Sequence, residues 1–194
     1  MAEAGAIPRP VRGAPIIESE VVAMVIVVFC EVMFFAGFLS GFSLIGARAP
    51  AGWWPPPGDP ALPVAATGGA SVALLLSGVA VFLAGRRVAA DRAGALRLLW
   101  GAVAFASAFL TYQVYEFVRL VAVGFTMVSS AHGGFFYTIV GAHALHAVIA
   151  VAVLSWAVRR LSEGALRAPA FTAVRMYWYF VVGLWPVIYT MVYL

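Results

Sequence analysis

Lysine is absent from this 194-residue chain, whose charge is confined to 12 arginines and 8 acids. Charged residues make up 10% of it, against about 25% in an ordinary soluble domain. So little charge excludes a soluble globular surface. The 64% hydrophobic content and mean hydropathy of +0.99 belong to a polytopic membrane protein. The net charge of +4 rests on arginine alone, and a nucleic-acid interface would need a folded polar face that the sequence lacks. On a membrane protein such charge sets orientation and meets lipid headgroups. Cys30 is the single cysteine, which excludes an internal disulfide and a thiolate cluster for zinc or iron–sulfur. Lying in an apolar run, it acts as a small hydrophobe. Residues 1–17 have neither the apolar core nor the small-residue cleavage site of a secretory leader, so insertion falls to the first long apolar segment.

What the chain does have is apolar runs of bilayer length. Five of them, at about 20–45, 64–84, 96–123, 134–158 and 172–193, predict transmembrane helices. The stretches between are too short for a second soluble domain. The expectation is an all-α bundle of five transmembrane helices forming one membrane domain over 1–194, with 1–19 as its N-terminal segment. Arg86, Arg87, Arg92 and Arg97 fall between the second and third spans or at the very start of the third, and Arg159, Arg160, Arg167 and Arg175 between the fourth and fifth or at the start of the fifth. After an odd number of crossings these two loops share a side with the N-terminal Arg9 and Arg12, leaving Arg48 and Arg119 opposite. The positive-inside rule then predicts a cytoplasmic N-terminus and an external C-terminus.

The loop after the first span reads Ala49-Pro50-Ala51-Gly52-Trp53-Trp54-Pro55-Pro56-Pro57-Gly58-Asp59-Pro60. Successive prolines predict an extended, semi-rigid connector. Trp53 and Trp54 are read as headgroup-level anchors, as are Trp178 and Trp185 in the aromatic stripe of the fifth span, which also serves packing. Pro186 removes one backbone bond there and should bend the helix. Gly68, Gly69, Ala70, Ser71, Ala73, Ser77 and Gly78 make the second span a close-packing helix.

Four ionisable side chains fall inside the spans away from their ends or one turn inside them: Glu31, Glu116, His143 and His146. A charged group at that depth costs roughly 2.5–3.5 kcal/mol on insertion scales, so each needs a partner, a cavity or a proton route. Glu31 has Phe34, Phe35 and Phe38 around it and no base within a helical turn; without a partner it is best accommodated as the neutral acid. It reads either as a protonatable group in a cleft or as a packing hydrogen bond. Gln113, Glu116 and Arg119 are spaced three apart and can share one helix face, with Arg119 snorkelling outward. His143 and His146 enter from the same side, at a depth suited to donating to Glu116 or to a backbone carbonyl. His132 is placed in a loop before the fourth helix. Two histidines at i and i+3 of one helix cannot ligate opposite faces of a haem, and three in all are too few for a haem–copper site. The chain is therefore expected to bind no metal itself.

In this order the segments resemble the cytochrome c oxidase subunit III family of the haem–copper oxidases, over most of residues 20–193. Glu31-Val32-Met33-Phe34-Phe35 is similar to the family's glutamate signature, Trp54-Pro55-Pro56-Pro57-Gly58 to its Trp-Pro-Pro loop, and Gln113-Val114-Tyr115-Glu116-Phe117 to its Gln-x-x-Glu-aromatic segment. Phe135-Phe136 followed by Gly141-Ala142-His143-Ala144-Leu145-His146 resembles its Phe-Phe and Gly-x-His-x-Leu-His pattern. The last helix departs from the family's usual Tyr-Trp-His-Phe-Val-Asp, reading Tyr177-Trp178-Tyr179-Phe180-Val181-Val182. The chain also resembles the five-helix form, without the two further N-terminal helices of longer members.

The resemblance implies an accessory subunit of a terminal oxidase in a bacterial plasma membrane. It implies packing against subunit I, which carries the haems and copper B, beside subunit II, which carries copper A. It further implies phospholipid in a cleft and support of proton uptake, with Glu31 matching the family's carbodiimide-reactive buried carboxyl. Two other readings stay open: an accessory subunit of a nitric oxide reductase, and a small transporter relaying protons through Glu31 and Glu116. The transporter reading lacks an internal repeat.

Overall fold

In the computed structural model, which describes residues 18–194, five α-helices account for most of the described residues. They are α1 (Ser19–Arg48), α2 (Val64–Arg87), α3 (Arg92–Ala122), α4 (Ala131–Ser162) and α5 (Ala168–Val192). All five are long and apolar enough to cross a membrane, and no strand occurs among the described residues. Arg9 and Arg12 lie outside the described residues.

The helices overrun the apolar runs by a few residues, chiefly at their arginine-rich ends. Asp91 caps α3 by accepting the Gly94 N–H at 2.7 Å, which starts the helix at Arg92 instead of near 96. Ser130 does the same for α4 through Gly133 N–H at 2.9 Å, so His132 belongs to the first helical turn and not to a loop. It is buried, at 2% exposure. Both helices stop at glycine. Gly124 (φ 86°) and Gly164 (φ 75°) adopt the left-handed conformation that closes a helix with little strain. The next amides, Phe125 and Ala165, bond back to Leu120 and Arg160.

The most extensive contact is between α2 and α3; α4 lies against α3 and α5, and α5 also against α1 and α2. Small residues let α2 approach its neighbours closely, as expected of helices packing in lipid. A Cβ on Gly68 would stand 2.8 Å from the Tyr189 hydroxyl, and one on Gly78 3.0 Å from Val182. By contrast α1 buries only Phe35, Leu39 and Phe42, all toward α4 and α5. Cys30 is exposed on its outer face.

Cross-links fix which loops share an end of the bundle. Arg92 donates to the carbonyls of Leu161 and Ser162, joining the α2–α3 and α4–α5 loops. Arg167 meets Glu20 at 2.6 Å, bringing the start of α1 to the same end. At the opposite end the proline loop is folded, not extended. Turns close through Trp53 N–H to Pro50 O and Asp59 N–H to Pro56 O, with Gly52 and Gly58 at positive φ. The loop folds back because Asp59 is held from below by Ser130 and His132 on α4.

Candidate functional site

Three polar clusters, buried or partly buried, organise the bundle. In the first, Glu31 of α1 meets His146 of α4, its Oε2 2.9 Å from Nε2. The base that the local sequence of α1 lacks comes from across the helix interface, so Glu31 is not unpartnered. His146 Nδ1 stands 2.6 Å from the Ala142 carbonyl oxygen. A carbonyl only accepts, so Nδ1 carries a hydrogen and Nε2 faces the carboxyl. An acid and a base set against each other across the helix interface give each ionisable side chain a polar partner, which lowers the cost of placing it in lipid. The Glu31 and His146 side chains keep 26% and 15% of their surface, so the pair is only partly buried between α1 and α4. Phe35 packs its ring edge-on to His146 at 5.4 Å.

His143, one turn earlier on α4, points elsewhere. Fully buried, it stacks on Trp185 with ring centres 5.0 Å apart, and neither ring nitrogen has a hydrogen-bond partner among the described residues. Neither histidine reaches Glu116; of the two partners expected from the sequence, His146 takes the backbone carbonyl, that of Ala142. Residues three apart on a helix are offset by about 60°, enough to send His146 to α1 and His143 into the core.

The second cluster surrounds Glu116, which is 1% exposed. Thr67 Oγ1 on α2 donates to Oε2 at 2.9 Å, and the Tyr193 hydroxyl at the end of α5 donates to Oε1 at 3.0 Å. Gln113 Nε2 donates to the Tyr193 oxygen at 3.4 Å. Gln113 and Glu116 thus share a buried face, as their spacing suggests. Arg119 does not join them: it is exposed and forms no ion pair within 4 Å among the described residues. The network continues along α2, where Ser71 accepts from Trp185 Nε1 at 2.7 Å. The Tyr189 hydroxyl donates to Val64 O at 2.9 Å.

The third cluster is the loop clamp. Asp59 Oδ2 receives the Ser130 hydroxyl at 2.8 Å and lies 3.0 Å from His132 Nδ1. Trp54, half-buried, lies edge-on to Phe42 and His132 at 5.3 and 5.4 Å and so packs the bundle end. Trp178 and Trp185 are buried, at 2% and 1% exposure, because their faces of α5 meet α2, α3 and α4. Trp53 alone of the four is exposed.

Thr67, Tyr193, Asp59 and Ser130 carry much of this chemistry and were not singled out from the sequence. Two signals were available. Thr67 and Ser71 are polar at i and i+4 on an apolar helix, and Asp59 is the one acid in a proline loop.

Five bilayer-length helices tied together by buried side-chain hydrogen bonds define a polytopic α-helical membrane protein. The model of the cytochrome c oxidase subunit III family matches residues 15–194. The chain belongs to that family. It is 30% identical over 176 residues to the probable cytochrome c oxidase subunit 3 of Mycobacterium tuberculosis, covering 84% of this chain and 81% of that one. The probable cytochrome c oxidase subunit 3 of Nocardia farcinica is 32% identical over 170 residues, with 84% and 81% covered. Cytochrome c oxidase subunit 3 of Bacillus subtilis is 38% identical over 90 residues, 44% of each chain. The match thus spans less than half the length of the Bacillus relatives.

Proposed function

We propose that this chain is the accessory third subunit of a haem–copper terminal oxidase that reduces oxygen to water in a bacterial plasma membrane. It packs against a catalytic subunit I bearing haem and copper, beside a subunit II where electrons enter from cytochrome c or quinol. It contributes no electron carrier. What it contributes is a stable lateral wall, phospholipid held beside Glu31, and a protonatable pair beside the proton-uptake machinery. In this reading the arginine-rich end faces the cytoplasm and the Trp53 loop faces outward.

The observation that carries this reading is the family match along nearly the whole chain. The direction of its polar side chains agrees with it. His143 and His146 project to different neighbours, one against Trp185 and the other against Glu31, so they are not arranged as facing axial ligands. The network around Glu116 joins α2, α3 and α5 at one end of the bundle and leads nowhere across it, which suits a scaffold better than a transporter's relay.

The test is affinity purification of the tagged chain from its native membrane. Haem-bearing subunits should co-elute, and the complex should consume oxygen with reduced donor. A chain that elutes alone supports the transporter reading. A complex that reduces nitric oxide but not oxygen supports the reductase reading.

A further inference from the structure

A groove lies away from Glu31, between α2 and α5, with a volume of about 530 Å³. Its walls are Leu75, Val79 and Phe82 of α2 and Tyr179 of α5; its floor is Gly78, Val182 and Gly183. Tyr179 and Val182 are the two positions where α5 departs from the histidine and aspartate usual in the family, so this lining is entirely apolar apart from one phenol. The groove faces the surroundings of the bundle, since Leu75, Val79 and Phe82 are 44%, 53% and 47% exposed.

Two guanidinium groups cap one end of it. Arg86, one turn beyond Phe82 on α2, sits 5.8 Å over the Phe82 ring. Arg175, one turn before Tyr179 on α5, sits 5.8 Å over the Tyr179 ring and donates through Nε to its hydroxyl at 3.4 Å. Arg175 also crosses to α2, packing on Gly85, where a Cβ would come within 2.5 Å of Cζ. Neither arginine has a carboxylate within ion-pair distance among the described residues. Arg175 therefore keeps four N–H donors, and Arg86 all five, for an anion from outside.

Length decides the occupant. From Leu75 to Arg86 a helix rises about 16 Å, roughly half the 30 Å hydrocarbon core of a bilayer. A partner helix would need a groove running the full depth. A lipid acyl chain needs one leaflet, with its phosphate at the charged end.

We infer that the α2–α5 groove is a binding site for an anionic phospholipid, one acyl chain lying over Gly78 and Gly183 and the phosphate held by Arg86 and Arg175. This does not depend on the oxidase reading and can be tested in whatever complex the chain purifies with.

The experiment uses that complex in vesicles of equal parts phosphatidylcholine and phosphatidylglycerol, with a trace of either lipid carrying a photoreactive diazirine on its acyl chain. Labelled peptides are mapped by mass spectrometry. The phosphatidylglycerol probe should label 75–82 and 179–183 roughly tenfold more than the phosphatidylcholine probe. Replacing both arginines (R86Q with R175Q) should remove that preference. Should that double variant not assemble, Gly183→Leu serves alone: a Cβ at Gly183 meets nothing within 4 Å, so a larger side chain starts from open space and extends into the groove. It should abolish labelling by both probes. Equal labelling by the two lipids in the unmodified protein, undiminished labelling in Gly183→Leu, or capture of a neighbouring polypeptide in place of lipid would each overturn the assignment.

Discussion

Glu31 and His146 illustrate how a membrane interior handles ionisable side chains: it sets an acid on one helix against a base on its neighbour. Polar contacts between membrane helices are worth about 0.6 kcal/mol on average and about 1.7 at most, because the unfolded chain in lipid also finds partners. A double-mutant cycle with Glu31→Ala and His146→Ala should give a coupling in that range, read from the thermal unfolding of the purified complex. Coupling near zero would show that the contact is not formed. Glu31→Gln keeps a donor opposite Nε2, so haem content and oxygen reduction should be close to those of the unmodified complex. Tyr193 carries more, because one hydroxyl serves both Glu116 and Gln113. Tyr193→Phe leaves two buried groups short of a partner and should cost about 1–3 kcal/mol, seen as a lower unfolding temperature with an unchanged optical spectrum. An unchanged unfolding temperature would contradict the network.

At the scale of the helix, stability rests on close approach and on caps. The Tyr189 hydroxyl reaches Val64 O only because Gly68 leaves room for it. Gly68→Val should displace that ring and part α2 from α5, costing about 1–3 kcal/mol as overpacking does; subunit retention during purification measures it. The proline loop depends on Asp59. In Asp59→Ala the amides of Trp53 and Asp59 should exchange with deuterium at least about tenfold faster, which corresponds to losing one buried hydrogen bond of about 1.5 kcal/mol. Unchanged exchange would mean that the Trp54 packing alone holds the loop. The sequence made the helices themselves legible, since runs of bilayer length admit little else. Their ends were harder, because Asp91 and Ser130 extend α3 and α4 into polar flanks that no hydropathy window includes. Partner choice was hardest. Spacing along α3 placed Gln113 and Glu116 on one face, yet nothing local reveals that Thr67, 49 residues away, supplies the donor. His146 was read as a structural histidine donating to Glu116 or a carbonyl, but its contact with Glu31 depends on how α1 leans on α4, which is a tertiary fact. Trp178 and Trp185 were misplaced for the same reason: aromatic composition suits a headgroup belt and a packed core equally.

At the scale of the whole molecule the two ends differ in kind. One carries the α2–α3 and α4–α5 loops with their arginines, tied by Arg92 and by the Arg167–Glu20 pair. The other carries the clamped proline loop and the Glu116 network. Between them α1 leans on α4 and α5 with most of its surface uncovered, which is economical for a subunit that is one wall of a larger assembly. The central claim is that such a wall shelters a haem-bearing neighbour and transfers no electrons itself. Its most direct test is to purify the tagged complex, strip this chain from it with mild chaotrope, and record optical spectrum, metal content and oxygen uptake on both fractions. The account predicts that all haem and copper stay with the remaining core, which still reduces oxygen, while the separated chain is colourless. Haem or copper travelling with the separated chain, or a complex that never contained a haem-bearing subunit, would contradict it.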